Sequence, residues 1–469
     1  MGKSLLGDRN GMKTWLWAAA GAVSLAYPAW PPTVAHANAI SDRAGENIAY
    51  TMRSGDSLYQ LASRYFMRQR DWRTVQQINR IGNERAIPVG TVIQIPSRIL
   101  KAEPLEAKMI GFKGVGQVET LGKSEALALD MAVHQGSVIE TGPGSFATME
   151  LSNGSRVTLP SQTRLRITAM RRFLLTGSLD FDFMVEKGRI ETSAAPLGKD
   201  GSRYRIRTPI AVSAVRGTTF RIGYDGDTAP SLTEVVEGTV AVKPDEARAE
   251  TPIPHGYGAS VAAGGSLTKE ELLPPPALID PGKVQVDPII EFRLTPLPDA
   301  SAYHLQLARD AGFVELFTEA YSDTPQVSFS DVPNGRWFVR ATAIAHSGLE
   351  GMPRTYSMKR LLTGLDASAE QDADGGYRFR WSGKGSGKRI YHFRLRPDAP
   401  NALPLADEPG LTGDMLTLSD LPPGEYVWQV GVRQYEDGEE GVDWLPEQKL
   451  TVAEERTPAP GGGSRSGNR

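Results

Sequence analysis

At 469 residues the chain is long enough for about three domains of ordinary size. An apolar share of 40% against 23% charged residues excludes wholesale disorder and a polytopic membrane protein, and a net charge of −3 offers no overall basic field for nucleic acid. The absence of cysteine excludes disulfides, thiolate metal sites, a cysteine nucleophile and a lipid-modified N-terminal cysteine, so stability rests on packed cores, while 49 Gly and 33 Pro predict many turns and short strands.

Residues 1–37 have the order of a secretory signal. Lys3, Arg9 and Lys13 precede the apolar run Trp15 to Ala29, and Ala35-His36-Ala37 supplies a small-residue cleavage site. The apolar run is shorter than the roughly 20 residues of a spanning helix. A retained membrane anchor is the alternative, and Met12 is an alternative start. The mature chain is expected in the periplasm, exported and cleaved near Ala37.

Tyr50-Thr51-Met52 predicts a short strand, after which Leu58, Leu61, Ala62 and Tyr65 recur on one helical face. Ser57 followed by Gln60 is a capping-box pattern, and Gly55 frees the backbone for the turn between them. A second helix is predicted after Asp71, with Trp72, Val75 and Ile78 inward, ending near Asn79. Pro88-Val89-Gly90 is turn chemistry, and Thr91 to Ile95 is a second strand. Within this segment eight arginines face Asp56, Asp71 and Glu84, a local charge of +5 in an otherwise acidic chain. Such a patch suits an acidic partner, or is the solvated face of the helices.

The run Tyr50-x-Met52-x-x-Gly55-Asp56-Ser57-Leu58-x-x-Leu61-Ala62, then Asn79, then Gly90-x-x-x-Gln94-Ile95-Pro96 resembles a LysM domain, a small βααβ module, over residues 48–98. One departure is Val89, standing between Pro88 and Gly90 where family members often have Pro directly before Gly. The resemblance implies binding of N-acetylglucosamine-containing glycan, chiefly peptidoglycan, in a shallow groove between two loops. Carried over by position, the glycan-binding residues are Gly55, Asp56, Ser57 and Leu58 from the first loop, with Asn79, Arg80, Ile81 and Ile87 from the second. Loop backbone groups there would pair with an N-acetyl amide while apolar side chains cover its methyl. On the residues alone, Asp56 and Ser57 equally serve to cap a helix and Asn79 to end one.

Beyond Leu100 alternation replaces the helical period. Ala147, Met149 and Leu151 point one way, Asn153-Gly154 turns the chain into Val157 and Leu159, and Leu165 with Ile167 repeat the pattern. The phrases Gly136-Ser137-Val138-Ile139-Glu140-Thr141-Gly142, Lys187-Gly188, Val215-Arg216-Gly217-Thr218-Thr219-Phe220 and Val236-Glu237-Gly238-Thr239-Val240 resemble the periplasmic FecR-type domain, across 105–265. An antiparallel all-β fold and a protein-binding or sensing role are what this implies. Sigma-factor regulation does not follow, because a signal and a LysM-like module stand where the namesake regulators carry a cytoplasmic segment and a membrane helix. Arg203, Arg205, Arg207, Arg216 and Arg221 are expected on the wet side of neighbouring strands.

Leu272 to Pro276, within 266–284, reads as a stiff Pro-rich linker. Beyond it, Tyr303-His304-Leu305-x-Leu307 recurs as Tyr391-His392-Phe393-x-Leu395, and Val332-Pro333-x-Gly335-x-Trp337 as Leu421-Pro422-x-Gly424-x-Tyr426. These mark two repeats, 285–364 and 365–453, which resemble fibronectin type III or immunoglobulin-like β-sandwiches with the aromatics as core. Residues 454–469 form a Gly/Ser/Pro tail, expected to be disordered.

The whole is therefore expected to be a multidomain, mainly β chain and not an enzyme. None of the six histidines has a partner spaced for zinc, and neither a metal nor a cofactor is expected. Lys384 to Lys388 resembles a phosphate loop but has Ser382 and Arg389 at the wrong places, which predicts a hairpin turn instead. The favoured function is an envelope protein that binds peptidoglycan and presents its β-domains to another protein. The alternatives are a periplasmic sensing subunit of an inner-membrane kinase or cyclase, and a peptidoglycan hydrolase or its accessory.

Overall fold

The computed structural model of the chain describes residues 47–453, apart from 199–200, 216, 227, 246–248, 374 and 437. The expected signal and C-terminal tail, and Arg216, lie outside the described residues.

The first module has the expected order: a strand Asn47–Thr51, helices Leu58–Tyr65 and Trp72–Ile78, and a strand Val92–Pro96 antiparallel to the first. Leu58, Leu61 and Ala62 form the buried stripe of the first helix, and Val75 that of the second. Ile78, expected inward, is exposed. The second helix ends there because Arg80 takes a left-handed conformation (φ 51), which turns the chain so that Ile81 packs against the core instead.

This module is not a bead on a string. Phe173, on the strand Arg164–Phe173 of the next domain, is buried within the module's own core beside Leu100 and Phe66. Backbone bonds from Met67 N to Ile99 O and from Leu174 N to Lys101 O continue the seam. A shared apolar core, in which Phe173 alone is worth about 3–5 kcal/mol if truncated, fixes the two bodies together.

The second body comprises two sheets that share the long strand Leu179–Ser193 and close into a barrel around one core. The first half of that strand pairs with Arg164–Phe173 and Arg203–Arg207, the second half with Arg156–Leu159 and Thr219–Tyr224. Gly188, at φ +86, lies between the halves. A Cβ there would come within 2.7 Å of the backbone of Gln162 and Thr163, so only glycine fits. Most pairings are antiparallel as expected, but Asp180–Met184 runs parallel to Arg203–Arg207. The last strand, Leu267–Glu271, lies inside the segment expected as linker, because its backbone completes the ladder beside Tyr257–Val261.

The expected wet arginine face is corrected. Arg205 reaches Asp180 and Asp182 at 3.2 and 2.9 Å, and Arg207 holds Asp182 at 2.9 Å, with both aspartates buried. Alternation placed these arginines on the outer face of the barrel, but it could not show that a neighbouring strand brings carboxylates between them. Arg221 is itself buried, against the first sandwich.

Each C-terminal repeat is a two-sheet sandwich. The first sets Ile290–Arg293 and Gln326–Phe329 against four strands, Leu316–Ser322, Ala300–Ala308, Gly335–Ala345 and Arg354–Arg360. The second sets Asp366–Gln371, Tyr377–Ser382 and Met415–Leu418 against a sheet built on Lys388–Pro397 and Gly424–Glu436. Trp337 and Tyr426 sit at matching places and make the same contact: the indole donates to Pro333 O at 2.9 Å, the phenol to Pro422 O at 2.7 Å. The segment 383–387 is not a hairpin turn. The strands on either side of it belong to different sheets, so it crosses the sandwich.

Candidate functional site

Because Thr51 pairs with Val92, the loop leaving the first strand and the loop entering the second emerge from the same end of the ribbon. Met52 N donates to Thr91 O at 2.9 Å and Gly90 N to Met52 O at 2.8 Å, which tie the two loops together.

In the first loop Gly55 is exposed at φ +86 with open space where a Cβ would lie. The Asp56 carboxylate accepts from the Tyr50 hydroxyl at 2.7 Å and from Arg53 N at 2.8 Å, closing the turn. Burial, and the carboxylate it donates to, push the Tyr50 phenol up to about 12. Ser57 caps the first helix, accepting from Gln60 N at 3.3 Å. Leu58 was expected to line the groove, but it is fully buried as the first apolar residue of the helix and lies behind the loop.

In the second loop the Asn79 amide is consumed by structure. Its nitrogen donates to Val75 O and Gln94 O at 2.8 Å each, and its oxygen accepts from Gln94 N at 2.7 Å. Asn79 thus rivets the end of the second helix to the returning strand. Ile81 N donates to Gln76 O and Arg80 N to Gln77 O, a Schellman arrangement whose left-handed position is usually glycine. Holding Arg80 there costs roughly 1 kcal/mol. Its side chain is exposed, while Ile81 and Ile87 are half-buried against the core.

The surface that remains available is therefore Gly55, the backbone of 53–57, Arg80 and the outer edges of Ile81 and Ile87. All eight arginines between 50 and 98 are exposed. Among the described residues only Arg68 and Arg85 come within 4.0 Å of a carboxylate, each at that limit. With eight arginines against Asp56, Asp71 and Glu84, a surplus of five positive charges stands on this surface. The part the sequence could not disclose is the pair of clamps behind the loops: Tyr50 on Asp56, six residues away, and Gln94 on Asn79, fifteen away, are set by how the strands pair and not by any local motif. Among the described residues no three His, Asp or Glu side chains are grouped to hold a metal, and no helix is long and apolar enough to cross a membrane.

Comparison with known proteins gives the same module order. Residues 50–96 match the LysM domain and residues 137–241 match the FecR protein family. No curated protein matches. Among solved structures, a candidate anti-sigma factor from Parabacteroides distasonis is 19% identical with a TM-score of 0.24, over 29% of this chain and 59% of its own. A two-domain fibronectin type III segment of chicken tenascin is 12% identical with a TM-score of 0.20, over 38% of this chain and 97% of its own. The three fibronectin domains of chicken CNTN1 are 11% identical with a TM-score of 0.19, over 67% and 99%.

Proposed function

We propose that a chain carrying a LysM domain and a FecR region acts in the cell envelope, after export, by holding peptidoglycan through residues 50–96 and presenting the barrel and sandwiches to another protein. The observation that carries this reading is the first module itself: two loops tied at one edge, Gly55 and Arg80 exposed on them, and a surplus of guanidinium groups around them. A strand of peptidoglycan offers both chemistries together, acetamido sugars for the loop backbone and stem-peptide carboxylates for the arginines. The apolar seam at Phe173 means that a module anchored on the wall would hold the barrel in a fixed pose. That pose suits a platform for a protein partner. The second reading is a periplasmic sensing subunit of a membrane-bound kinase or cyclase, for which the FecR match supports the envelope-signalling part alone; crosslinking in cells would then trap a single integral membrane protein.

The test is co-sedimentation of the chain with insoluble peptidoglycan at low and high salt. Arg80→Gly suits the backbone at that position and removes only the side chain, so it is expected to leave the fold intact and weaken pelleting by about two- to fivefold. A chain that stays in the supernatant with intact wall sinks the docking role. We also take the protein to be non-enzymatic: a peptidoglycan gel should show no clearing under it.

A further inference from the structure

The seam between the barrel and the first sandwich has an apolar part, where Phe146 packs on Ala308, Phe313 and Leu316, and a buried ionic part. Arg189 lies 2.5 Å from Glu234 and 3.2 Å from Glu350. Arg221 lies 3.1 Å from Glu350 and donates to the backbone oxygens of Glu350 and Gly351 at 2.9 and 2.6 Å. The barrel supplies Arg189, Arg221 and Glu234; the sandwich supplies Glu350 and, behind it, His304. Both ring nitrogens of His304 face carboxylates: Nδ1 meets Glu350 at 2.9 Å and Nε2 meets Glu319 at 3.1 Å. Its ring stacks on Tyr321 at 4.0 Å, and its backbone oxygen accepts from Thr342. Gln306 also donates to Glu319, and the Arg340–Glu191 pair spans the seam as a self-neutral fork.

An ionised carboxylate only accepts, so a ring held between two of them donates from both nitrogens, as only the imidazolium does. The charge count agrees. Two arginines face Glu234, Glu350 and Glu319, so the group is neutral when His304 carries a proton and has one uncompensated buried anion when it does not. We infer that His304 is a proton-operated latch of this seam, closed while the imidazole is charged and loosened when it deprotonates.

Burial disfavours the charged ring, but Glu350 and Glu319 outweigh it and hold His304 above its ordinary value. Arg221 and His304 in turn outweigh burial at Glu350 and hold that carboxyl well below its usual range. The sign follows from the raised histidine. Its contribution is full below the unfolded value of about 6.5 and is lost as pH rises through the folded one. Between the two, opening of the seam becomes easier by up to about tenfold per pH unit.

Hydrogen exchange of the full chain at pH 6 and pH 9, corrected for intrinsic rates, tests this. Protection of 345–352 and 219–236 should fall by about tenfold or more at the higher pH, while 204–207 in the barrel core holds. His304→Gln should abolish the difference. Glu319→Gln, which balances the group around a neutral ring, should move the loss to lower pH. Unchanged wild-type protection at pH 9 overturns the latch, as does a loss that persists in His304→Gln or stays unshifted in Glu319→Gln.

Discussion

The two sandwiches carry the same histidine in different surroundings. His304 and His392 occupy matching places in the repeat, and each points Nε2 at an acid fifteen positions on, Glu319 in the first copy and Asp407 in the second. In the first copy the barrel covers the pair and brings Arg221 and Arg189 to it, and the sandwich's own Glu350 lies between them and the ring. In the second copy the pair is part-exposed, with Arg394 beside Asp407 and Trp444 near the ring. A surface pair of this kind is worth little, whereas a buried one is costly to break from one side. The repeat supplied the pair; what packs on it decided its weight.

Four substitutions sharpen the contrast. Arg221→Ala leaves Arg189, among the described residues, as the one guanidinium facing Glu350 and Glu234 and puts an uncompensated anion in the buried seam, which is expected to cost about 3–5 kcal/mol, read from urea unfolding. A loss below about 1 kcal/mol would show that water reaches the seam. Next, Glu319→Gln at pH 6 should cost about 1–3 kcal/mol, whereas the matching Asp407→Asn should stay within about 1 kcal/mol. Equal effects would mean that the two surroundings are electrostatically alike, and thermal melts of the two variants would decide it. Smallest, Tyr426→Phe removes the hydrogen bond to Pro422 without a cavity and should cost about 1 kcal/mol, measured by the same melts. Because the phenol does in the second copy what the Trp337 indole does in the first, this last change asks whether that contact is shared by both copies and independent of the barrel.

Much of the architecture was legible because it rests on short-range pattern. The 3.6-residue recurrence of Leu58, Leu61 and Ala62, the Asn153-Gly154 turn between strands, and the offset repeat of Trp337 and Tyr426 each specify local geometry that no neighbour overrides. The candidate site was legible as a pair of loops, but not in how its residues divide. Ser57 caps and Asn79 rivets, as their side-chain chemistry allows, while Leu58 faces inward because helix phase decides its side. Arg80 stands where glycine would be less strained, and this shows only in the backbone.

The sequence by itself determined the modules, their order, the aromatic cores of the repeats and the basic character of residues 50–98, since each depends on residues close in the chain or on composition. Tertiary structure alone decided that Phe173 belongs to its neighbour's core, that Asp180 and Asp182 lie between the arginines, and that Arg221 meets Glu350, which in turn holds His304. Those contacts join residues up to 129 positions apart. Alternation fixes which face of a strand a charge occupies; only the packing of one domain on another fixes whether that face meets water or a counter-charge.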